Sequence, residues 1–169
     1  VGAQRRLTIN VNQVVGPGKE VSVYLRTAGE VFAERPMYFR YQGTGGYSWT
    51  GGHSASGVDA PLQRMYFPEG YTGDGFEEWL CLANFGDKMA QATVTYIYPD
   101  REPKVVKYSV PARRRVTLNV NHEAGSGTDV SVKVEADRPL VAERPMYFNY
   151  RGAWDGGHVG TGIDPQSLR

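Results

Sequence analysis

Short runs in which apolar and polar residues alternate dominate the chain. Leu7–Val11 and Val21–Leu25 follow this pattern, and so do Val116–Val120 and Val130–Val134. Successive side chains of a strand point to opposite faces, so a period of two indicates strands with one buried face. No segment has a convincing helical period of 3.6, and residues 88–91 have room for one turn at most. The pattern therefore predicts a chain built from strands.

Turn-forming residues separate the predicted strands at intervals of roughly ten residues. Residues 99–103 contain two prolines and an aspartate, and they predict a hairpin between 92–98 and 105–110. Another strand is predicted over 78–83, closed by the turn residues 84–87. Many short strands with frequent turns are typical of all-β folds, and we predict antiparallel β-sandwich modules arranged in tandem.

An internal repeat organises this pattern. Residues 1–43 align with 110–152 without a gap, at an offset of 109, and 22 of these 43 positions are identical. The offset then falls to 105, because the first copy carries four extra residues within 45–49. Residues 62–109 occur only once. The chain is therefore predicted to hold about one and a half copies of a unit of 105–109 residues.

Two boundary frames describe this repeat. In the first, residues 1–61 are the C-terminal half of one repeat and 62–169 are a nearly complete one. In the second, the modules run over 1–109 and 110–169. Either frame contains a half-module, which leaves strand edges and an apolar face uncovered. We therefore expect the chain to be a piece of a longer protein, or to be completed by another chain.

A seven-residue stretch, Ala-Glu-Arg-Pro-Met-Tyr-Phe, occurs at 33–39 and again at 142–148. Neighbouring strand residues point to opposite faces, so its glutamate and arginine do not converge on one ligand. Its proline lacks an N–H and indicates an edge, a strand start or a bulge. We interpret the stretch as structural, with charges that pair with neighbouring strands; a ligand-binding role is the alternative. The repeat signature consists of Glu34, Arg35, Pro36, Glu143, Arg144 and Pro145.

Composition narrows the classes of function. Nineteen basic residues nearly balance eighteen acidic ones, giving a net charge of +1, and this argues against a nucleic-acid partner. No stretch approaches the ~20 apolar residues of a membrane span. The single cysteine, Cys81, rules out an intrachain disulfide. Its apolar surroundings predict a buried, inert thiol, and an intermolecular bridge is the alternative.

Each copy contains a Gly-Gly-His sequence, ending at His53 and His158, shortly after a tryptophan. One such histidine per copy, with no second ligand at metal-binding spacing, predicts no metal site. A Ser-His-Asp set can be drawn from Ser54, His53 and Asp59, but Ser54 is replaced by Val159 in the other copy. We therefore predict no catalytic residues. Loop carboxylates leave a structural calcium ion as the one candidate cofactor. These acids are Asp74, Glu77, Glu78, Asp100, Glu102, Asp155 and Asp164.

Aromatic residues could form a sugar-binding face, although aromatic cores explain them equally well. The candidate ligand face consists of Trp49, His53, Trp154 and His158, with glycans as the possible partner.

Several motifs follow one another in a characteristic order. They are Met65 to Thr72 (MYFPEGYT), Phe76 to Leu80 (FEEWL), Leu82 to Gly86 (LANFG), Ala142 to Phe148, and Trp154 with Gly-Gly-His. This order, over the whole chain, resembles a tandem module of large secreted or cell-surface bacterial proteins. The family reads roughly W-Y-F-A-E-G-Y-T, E-W-L, N-P-G, A-E-R-P-M-Y-F and G-G-H, and Phe85 replaces its usual proline. The resemblance implies an extracellular, repetitive, non-catalytic β-module and transfers no catalytic residue.

Two functions follow as expectations. The first is a structural module at the cell surface, or a filament subunit, whose partners are copies of itself or adjacent repeats. The second is a carbohydrate- or surface-ligand-binding module that uses the aromatic face. An enzyme is the least expected class, because the sequence shows no convergent set of acids.

Overall fold

The structure is a computed structural model, and it describes residues 1–44, 46–164 and 166. These residues form mostly antiparallel strands with two five-residue helices. The elements, in chain order, are α1 Val11–Val15, β1 Glu34–Gln42, β2 Ser48–Ser56, β3 Leu62–Phe67, β4 Phe76–Asn84, β5 Ala90–Ile97, β6 Lys104–Val110, β7 Arg114–Asn119, α2 Val120–Ala124, β8 Ser131–Tyr150 and β9 Trp154–Thr161. The predicted all-β class is confirmed.

One strand, β8, connects most of the molecule. Its first half lies between β3 and β5, and its second half lies between β4 and β9. β6 extends the sheet beyond β5, and β7 extends it beyond β4. A bridge between Tyr66 and Ile163 links the end of β9 back to β3, so the sheet curls on itself. The strand predicted at Val130–Val134 is thus the beginning of a strand of 20 residues.

The hydrophobic core lies inside this curled sheet. Its members come from residues 65–142, and they include Leu80, Val94, Val132 and Leu140, all essentially inaccessible to solvent. Burying side chains of this size stabilises the fold by about 1.5–3 kcal/mol each. We call residues 62–169 the unit, because its strands enclose this core. Residues 1–61 are called the half-unit.

The half-unit contributes one hairpin. β1 and β2 pair with each other in a separate two-stranded sheet, with Glu34 opposite Ser56 and Gln42 opposite Ser48. Residues 1–33 contain α1 but no strand.

Two predicted strands of the half-unit are therefore wrong. Leu7–Val11 and Val21–Leu25 have the strand pattern, but no strand is assigned there. Their counterparts in the unit do form strands, because β4 pairs with β7 and both β3 and β5 pair with the first half of β8. The half-unit has no strand equivalent to β3, β4 or β5 beside these segments. A strand pattern without a partner strand does not produce a ladder.

The two short helices were not predicted, because five residues are too few to show a helical period. Both begin after an asparagine, Asn10 or Asn119, whose side chain accepts a hydrogen bond from the backbone N–H three residues later. Both end at a glycine with positive φ, 86° at Gly16 and 96° at Gly125. Each helix begins at a valine that the alternation had placed at the end of a strand.

The repeated proline occupies two different settings. Pro36 lies in β1, which has a partner on one side only. Pro145 lies in β8 with β9 on one side and β4 on the other, so it is not at an edge. The ladder between β8 and β4 is interrupted at this point, between the pairs Glu78–Met146 and Cys81–Glu143. The missing N–H of proline thus coincides with a gap in the ladder.

Among the described residues, none of the helices has the length and apolar character needed to cross a membrane.

Candidate functional site: the junction between half-unit and unit

The half-unit meets the unit through one face of its hairpin. Along β1, exposure alternates, and Arg35, Met37, Phe39 and Tyr41 are the shielded residues. These four side chains point to one face of the strand. The residues between them, such as Tyr38, point away and are exposed. We call the surface between this face and the unit the junction.

The signature arginine of the half-unit pairs with the signature glutamate of the unit. Arg35 Nη2 lies 3.1 Å and 3.3 Å from the two carboxylate oxygens of Glu143. Both side chains are partly shielded, at 37% and 26% exposure. This ion pair joins the two copies of the repeat across two separate sheets. Glu34 is exposed on the other face of β1.

A buried carboxylate in β4 receives hydrogen bonds from both parts of the chain. Glu77, only 2% exposed, accepts from Tyr41 Oη at 2.5 Å and from the Thr44 N–H and hydroxyl at 2.9 Å and 3.1 Å. Within the unit, Trp79 Nε1 donates to it at 3.0 Å. Burial, with the hydrogen bond to this carboxylate next in size, raises the pKa of Tyr41. Four donors satisfy a charge that would be costly to bury alone.

Aromatic rings fill the junction beside this carboxylate. The Trp49 ring stacks on Tyr41 at 5.6 Å between centroids, and it lies 6.2 Å from Tyr147 of the unit. Phe39 meets Tyr147 edge-on at 5.0 Å. Trp49 is 1% exposed. This cluster, in which the rings around Trp49 are partly shielded, combines large apolar area with favourable ring geometry.

Glycines allow the two hairpins to lie close together. A Cβ built on Gly157 would lie 2.9 Å from the Phe39 ring, and one built on Gly51 would lie 3.5 Å from the Cα of Gly156. Any side chain at Gly157 would require the Phe39 ring of the facing hairpin to shift. The Gly-Gly pairs that precede the two histidines thus serve close packing at the junction.

The extended segment before β1 also touches the unit. Arg115 forms an ion pair with Glu20 and donates to the carbonyl of Val21, and the Tyr24 ring lies 5.6 Å from Phe85. Burial, the largest influence, raises the pKa of the Cys81 thiol in β4, and the thiol is free. The sequence predicted a buried thiol, and Cys81 is partly shielded as a residue.

Most of residues 5–33 nevertheless remain uncovered. Ile9 is 59% exposed, whereas its counterpart Leu118 is 7% exposed; Val23 is 61% exposed, whereas Val132 is 2% exposed. The repeat aligns these pairs without a gap. Further exposed residues are Leu7, Tyr24, Leu25, Val31 and Phe32. The same sequence pattern that forms a core face in the unit lies open in the half-unit.

The candidate ligand face does not form one surface. Trp49 is buried in the junction, whereas Trp154 is 61% exposed and stacks on Tyr150 at 6.0 Å. His53 lies near Phe39, and burial lowers its pKa, followed by the influence of Arg35. Burial is also the main cause of the lowered pKa of His158. The structure thus separates the two tryptophans that the sequence suggested as partners.

The second signature arginine faces the interior of the unit. Arg144, 6% exposed, lies beside His158, with Nη2 and Nε2 3.4 Å apart. It borders a small cavity of about 140 Å³ together with Tyr66, Phe67 and Glu69. The two signature arginines therefore have different partners, in spite of identical flanking sequences.

The loop acids do not assemble into an ion site. Within the described residues, no three His, Cys, Asp or Glu side chains are grouped so as to hold a metal ion. Glu77 is instead engaged at the junction, and Glu78 lies in the interior. Burial raises the pKa of Glu78 to about 7, and its Oε2 accepts the Tyr71 N–H at 2.9 Å.

Sequence reasoning treated Glu77 as a loop acid and overlooked Tyr41 and Tyr147. One signal pointed to the carboxylate: Glu77 begins a run in which its alternate neighbours are Trp79 and Cys81, so an acid shares a face with apolar residues. A buried acid in such a position needs several donors. The residues that supply these donors are set by how another part of the chain docks, and no local sequence pattern indicates which residues they are.

Comparison with known proteins identifies a fold but no family. No family model matches the chain, and no curated protein matches it. The structure of Thermotoga maritima 1070 has 20% sequence identity and a TM-score of 0.56, covering 61% of this chain and 94% of that chain. The Anabaena sensory rhodopsin transducer has 26% identity and a TM-score of 0.45, covering 52% of this chain and 99% of that chain. The first likeness shows that this fold occurs in a protein smaller than the present chain.

Proposed function

We propose that this chain is a non-catalytic structural module of a repetitive protein, which assembles through β-edge contacts with copies of itself or adjacent repeats. The observation that carries the proposal is the difference in exposure between equivalent residues. Ile9 and Val23 are open to solvent where Leu118 and Val132 are buried. Leaving such side chains exposed forgoes about 1.5–3 kcal/mol each. A partner that covers them would recover this free energy.

The backbone supports the same proposal. In the unit, β7 and the second half of β8 flank β4. The corresponding segments of the half-unit, residues 5–10 and 32–39, lack that central strand, so their backbone groups are available for pairing. Strand addition to such an edge supplies main-chain hydrogen bonds along its whole length. We further propose that each completed repeat is an antiparallel β-sandwich.

The proposed location is the cell surface or the extracellular space. It rests on the order of motifs that resembles tandem modules of large secreted and cell-surface bacterial proteins. A repetitive, non-catalytic role fits a molecule in which the repeat signature residue Arg35 is engaged in contact between repeats.

The assembly state tests this proposal. We expect oligomers or fibres in light scattering and negative-stain electron microscopy, with slow hydrogen exchange at residues 7–11 and 21–25 when they form. Ile9→Asp should abolish assembly and leave the unit folded, because Ile9 contributes to no core in the single chain. Its matched control, Leu118→Asp, should instead unfold the unit. A compact monomer with fast exchange at residues 7–25, at any concentration, would contradict assembly by copies.

A second candidate function rests on the exposed pair formed by Tyr150 and Trp154. Stacked aromatic rings at a surface can bind the apolar face of a sugar ring. A glycan-binding screen should then lose its signal with Trp154→Ala, whereas Phe32→Ala, which removes another exposed ring, should leave it unchanged. Binding that survives Trp154→Ala would exclude this pair.

A further inference from the structure

We infer that the cavity beside Arg144 is a binding site for a small monocarboxylate. The site lies within the unit, and it goes beyond the proposed structural function. The cavity measures about 140 Å³, and its lining includes the exposed residues Pro68 and Glu69, so it opens to solvent. Pockets for drug-sized ligands measure about 300–1,000 Å³, so only a ligand of a few heavy atoms fits here.

Arg144 brings hydrogen-bond donors to this cavity that no described residue satisfies. The residue is 6% exposed, and its buried Nε and Nη1 have no hydrogen-bond partner. Its Nη2 lies 3.4 Å from Nε2 of His158. None of the ion pairs between described residues includes Arg144. A guanidinium is always charged, and a buried charge without a counter-charge is costly, so an anion in the cavity would stabilise it.

The ionisable neighbours of Arg144 do not fully offset its charge. Burial, followed by the influence of Arg144, lowers the pKa of His158, so its ring is neutral near pH 7. Burial raises the pKa of Glu78 to about 7, so this carboxyl is only partly ionised there. Glu69 is exposed, and solvent screens its charge. The site therefore favours an anion, but the two acids disfavour a second negative charge on it.

The first copy of the repeat shows which anion the signature arginine can hold. Arg35, the counterpart of Arg144, places Nη2 3.1 Å and 3.3 Å from the two carboxylate oxygens of Glu143. Arg144 faces the interior of the unit and has no carboxylate at this distance among the described residues. A free carboxylate in the cavity would give Arg144 the contact that Arg35 makes with a side chain.

A glycine leaves room beside the guanidinium. In the register of β8 and β9, Gly160 lies directly opposite Arg144, and it also lines the cavity. A Cβ built on Gly160 would lie 3.7 Å from Nη2 and 3.9 Å from Nε of Arg144. These are ordinary contacts, so a side chain fits there but takes the space beside the donors. The first copy has Ala55 opposite Arg35, so the strand pairing tolerates a Cβ at this position.

Saturation-transfer difference NMR with acetate tests the inference, because it detects weak binding to monomers and oligomers alike. We expect a signal from the acetate methyl group that saturates with a Kd of about 0.1–10 mM, since a ligand of four heavy atoms makes few contacts. Acetamide has the same size without the charge, and it should give no saturable signal. Absence of a saturable acetate signal, or equal signals from acetate and acetamide, would overturn the inference.

Two variants of the full chain locate the binding at Arg144. Arg144→Lys keeps the charge but loses the planar fork of donors, so acetate should bind at least about tenfold more weakly. Gly160→Val fills the space beside the guanidinium and should weaken binding to a similar extent. Gly57→Val, which adds the same side chain outside the cavity lining, is the matched control and should leave the Kd unchanged. Unaltered acetate binding by Gly160→Val, with unchanged hydrogen exchange in β5, would overturn the inference even if Arg144→Lys fails to fold.

Competition experiments identify the class of ligand. Triglycine carries its carboxylate on a longer chain, and sulfate brings a second charge towards Glu69 and Glu78. Each should therefore displace acetate at least about tenfold more weakly than formate does, at equal ionic strength. Displacement by triglycine or sulfate as effective as that by formate would overturn the assignment to a small monocarboxylate. None of these results depends on whether copies of the chain assemble, so the proposed structural function is tested separately.

Discussion

At the scale of single residues, Glu77 determines how the half-unit is held. Its carboxylate is almost completely buried, and three of its four hydrogen bonds come from Tyr41 and Thr44 of the half-unit. Hydrogen bonds to a charged group contribute about 1.5–3 kcal/mol each, more than neutral ones. Removing the charge therefore weakens the junction without removing any core residue.

We predict that Glu77→Gln releases the hairpin formed by β1 and β2 and leaves the unit folded. The amide replaces one acceptor with a donor that faces the N–H of either Trp79 or Thr44, so about 1–3 kcal/mol of docking free energy is lost. Hydrogen exchange at residues 36–41 should accelerate at least fivefold, with no change in β5. Glu102→Gln, in an exposed turn, is the control. Unchanged exchange in β1 would show that Glu77 does not hold the hairpin.

Glu78 gives the molecule a dependence on pH that opposes that of its histidines. Burial raises the pKa of Glu78 to about 7, so the folded state holds this proton over a range in which the unfolded state has released it. The stabilisation that Glu78 contributes is therefore fully present below about pH 4.5, and it is lost as the pH rises from there through about 7. The shift corresponds to about 3 kcal/mol. The lowered pKa values of His53 and His158 act oppositely, because protonation below pH 6.5 favours the unfolded state.

We predict that Glu78→Gln reverses the sign of this dependence. Urea unfolding of the original chain should show lower stability at pH 7.5 than at pH 5.5. In the variant, the histidines dominate, so stability should be higher at pH 7.5 than at pH 5.5. If the two proteins have parallel pH profiles, Glu78 does not carry the effect.

At the scale of elements, the two hairpins that share the signature stretch lie in different environments. The hairpins β1–β2 and β8–β9 share the signature stretch, yet Trp49 is buried in the junction and its counterpart Trp154 is exposed. The difference arises because the first hairpin lies on the unit, whereas the second has no repeat beyond it within the described residues. The two tryptophans therefore form a matched pair for measuring the junction.

We predict that Trp49→Ala undocks the hairpin, whereas Trp154→Ala changes little. Truncating a buried tryptophan costs about 3–5 kcal/mol, and a surface substitution usually costs less than about 0.5 kcal/mol. Hydrogen exchange in β1 and β2 should rise in the first variant only, with β4 and β5 unchanged in both. Equal effects of the two substitutions would mean that the junction is not formed in solution.

The same comparison explains what the sequence could predict. Turn and cap residues act locally, so Asn10 and Asn119 begin similar helices in both copies. The hairpin over 92–110 was also predictable, since its strands pair with each other across one turn. The strand predicted at Leu7–Val11 is absent, because a strand needs a partner strand from elsewhere in the chain with which to form backbone hydrogen bonds. The role of Glu77 was hidden for the same reason, because Tyr41 and Thr44, which donate three of its four hydrogen bonds, are more than thirty residues away.

At the scale of the whole molecule, the unit and half-unit differ in self-sufficiency. Among the residues that the structure describes, Trp49 is the only buried apolar residue before position 65. The Thermotoga protein shows that this fold occurs in a chain of which 94% matches 61% of the present one. The unit therefore has the strands and the core that a small domain needs.

We predict that residues 62–169 fold alone and that residues 1–61 do not. The isolated unit should unfold cooperatively in urea. Its urea midpoint should be lower than that of the whole chain, because Glu77 and Tyr147 are then exposed to solvent. Residues 1–61 should exchange their amides like an unfolded chain, since two strands without a core are marginal in water. Mixing the two pieces should restore protection from hydrogen exchange in β1. As a control, a unit that carries Glu77→Gln should not restore this protection. Cooperative folding of residues 1–61 alone would show that the half-unit needs no partner, and the proposed assembly through β-edges would then be wrong.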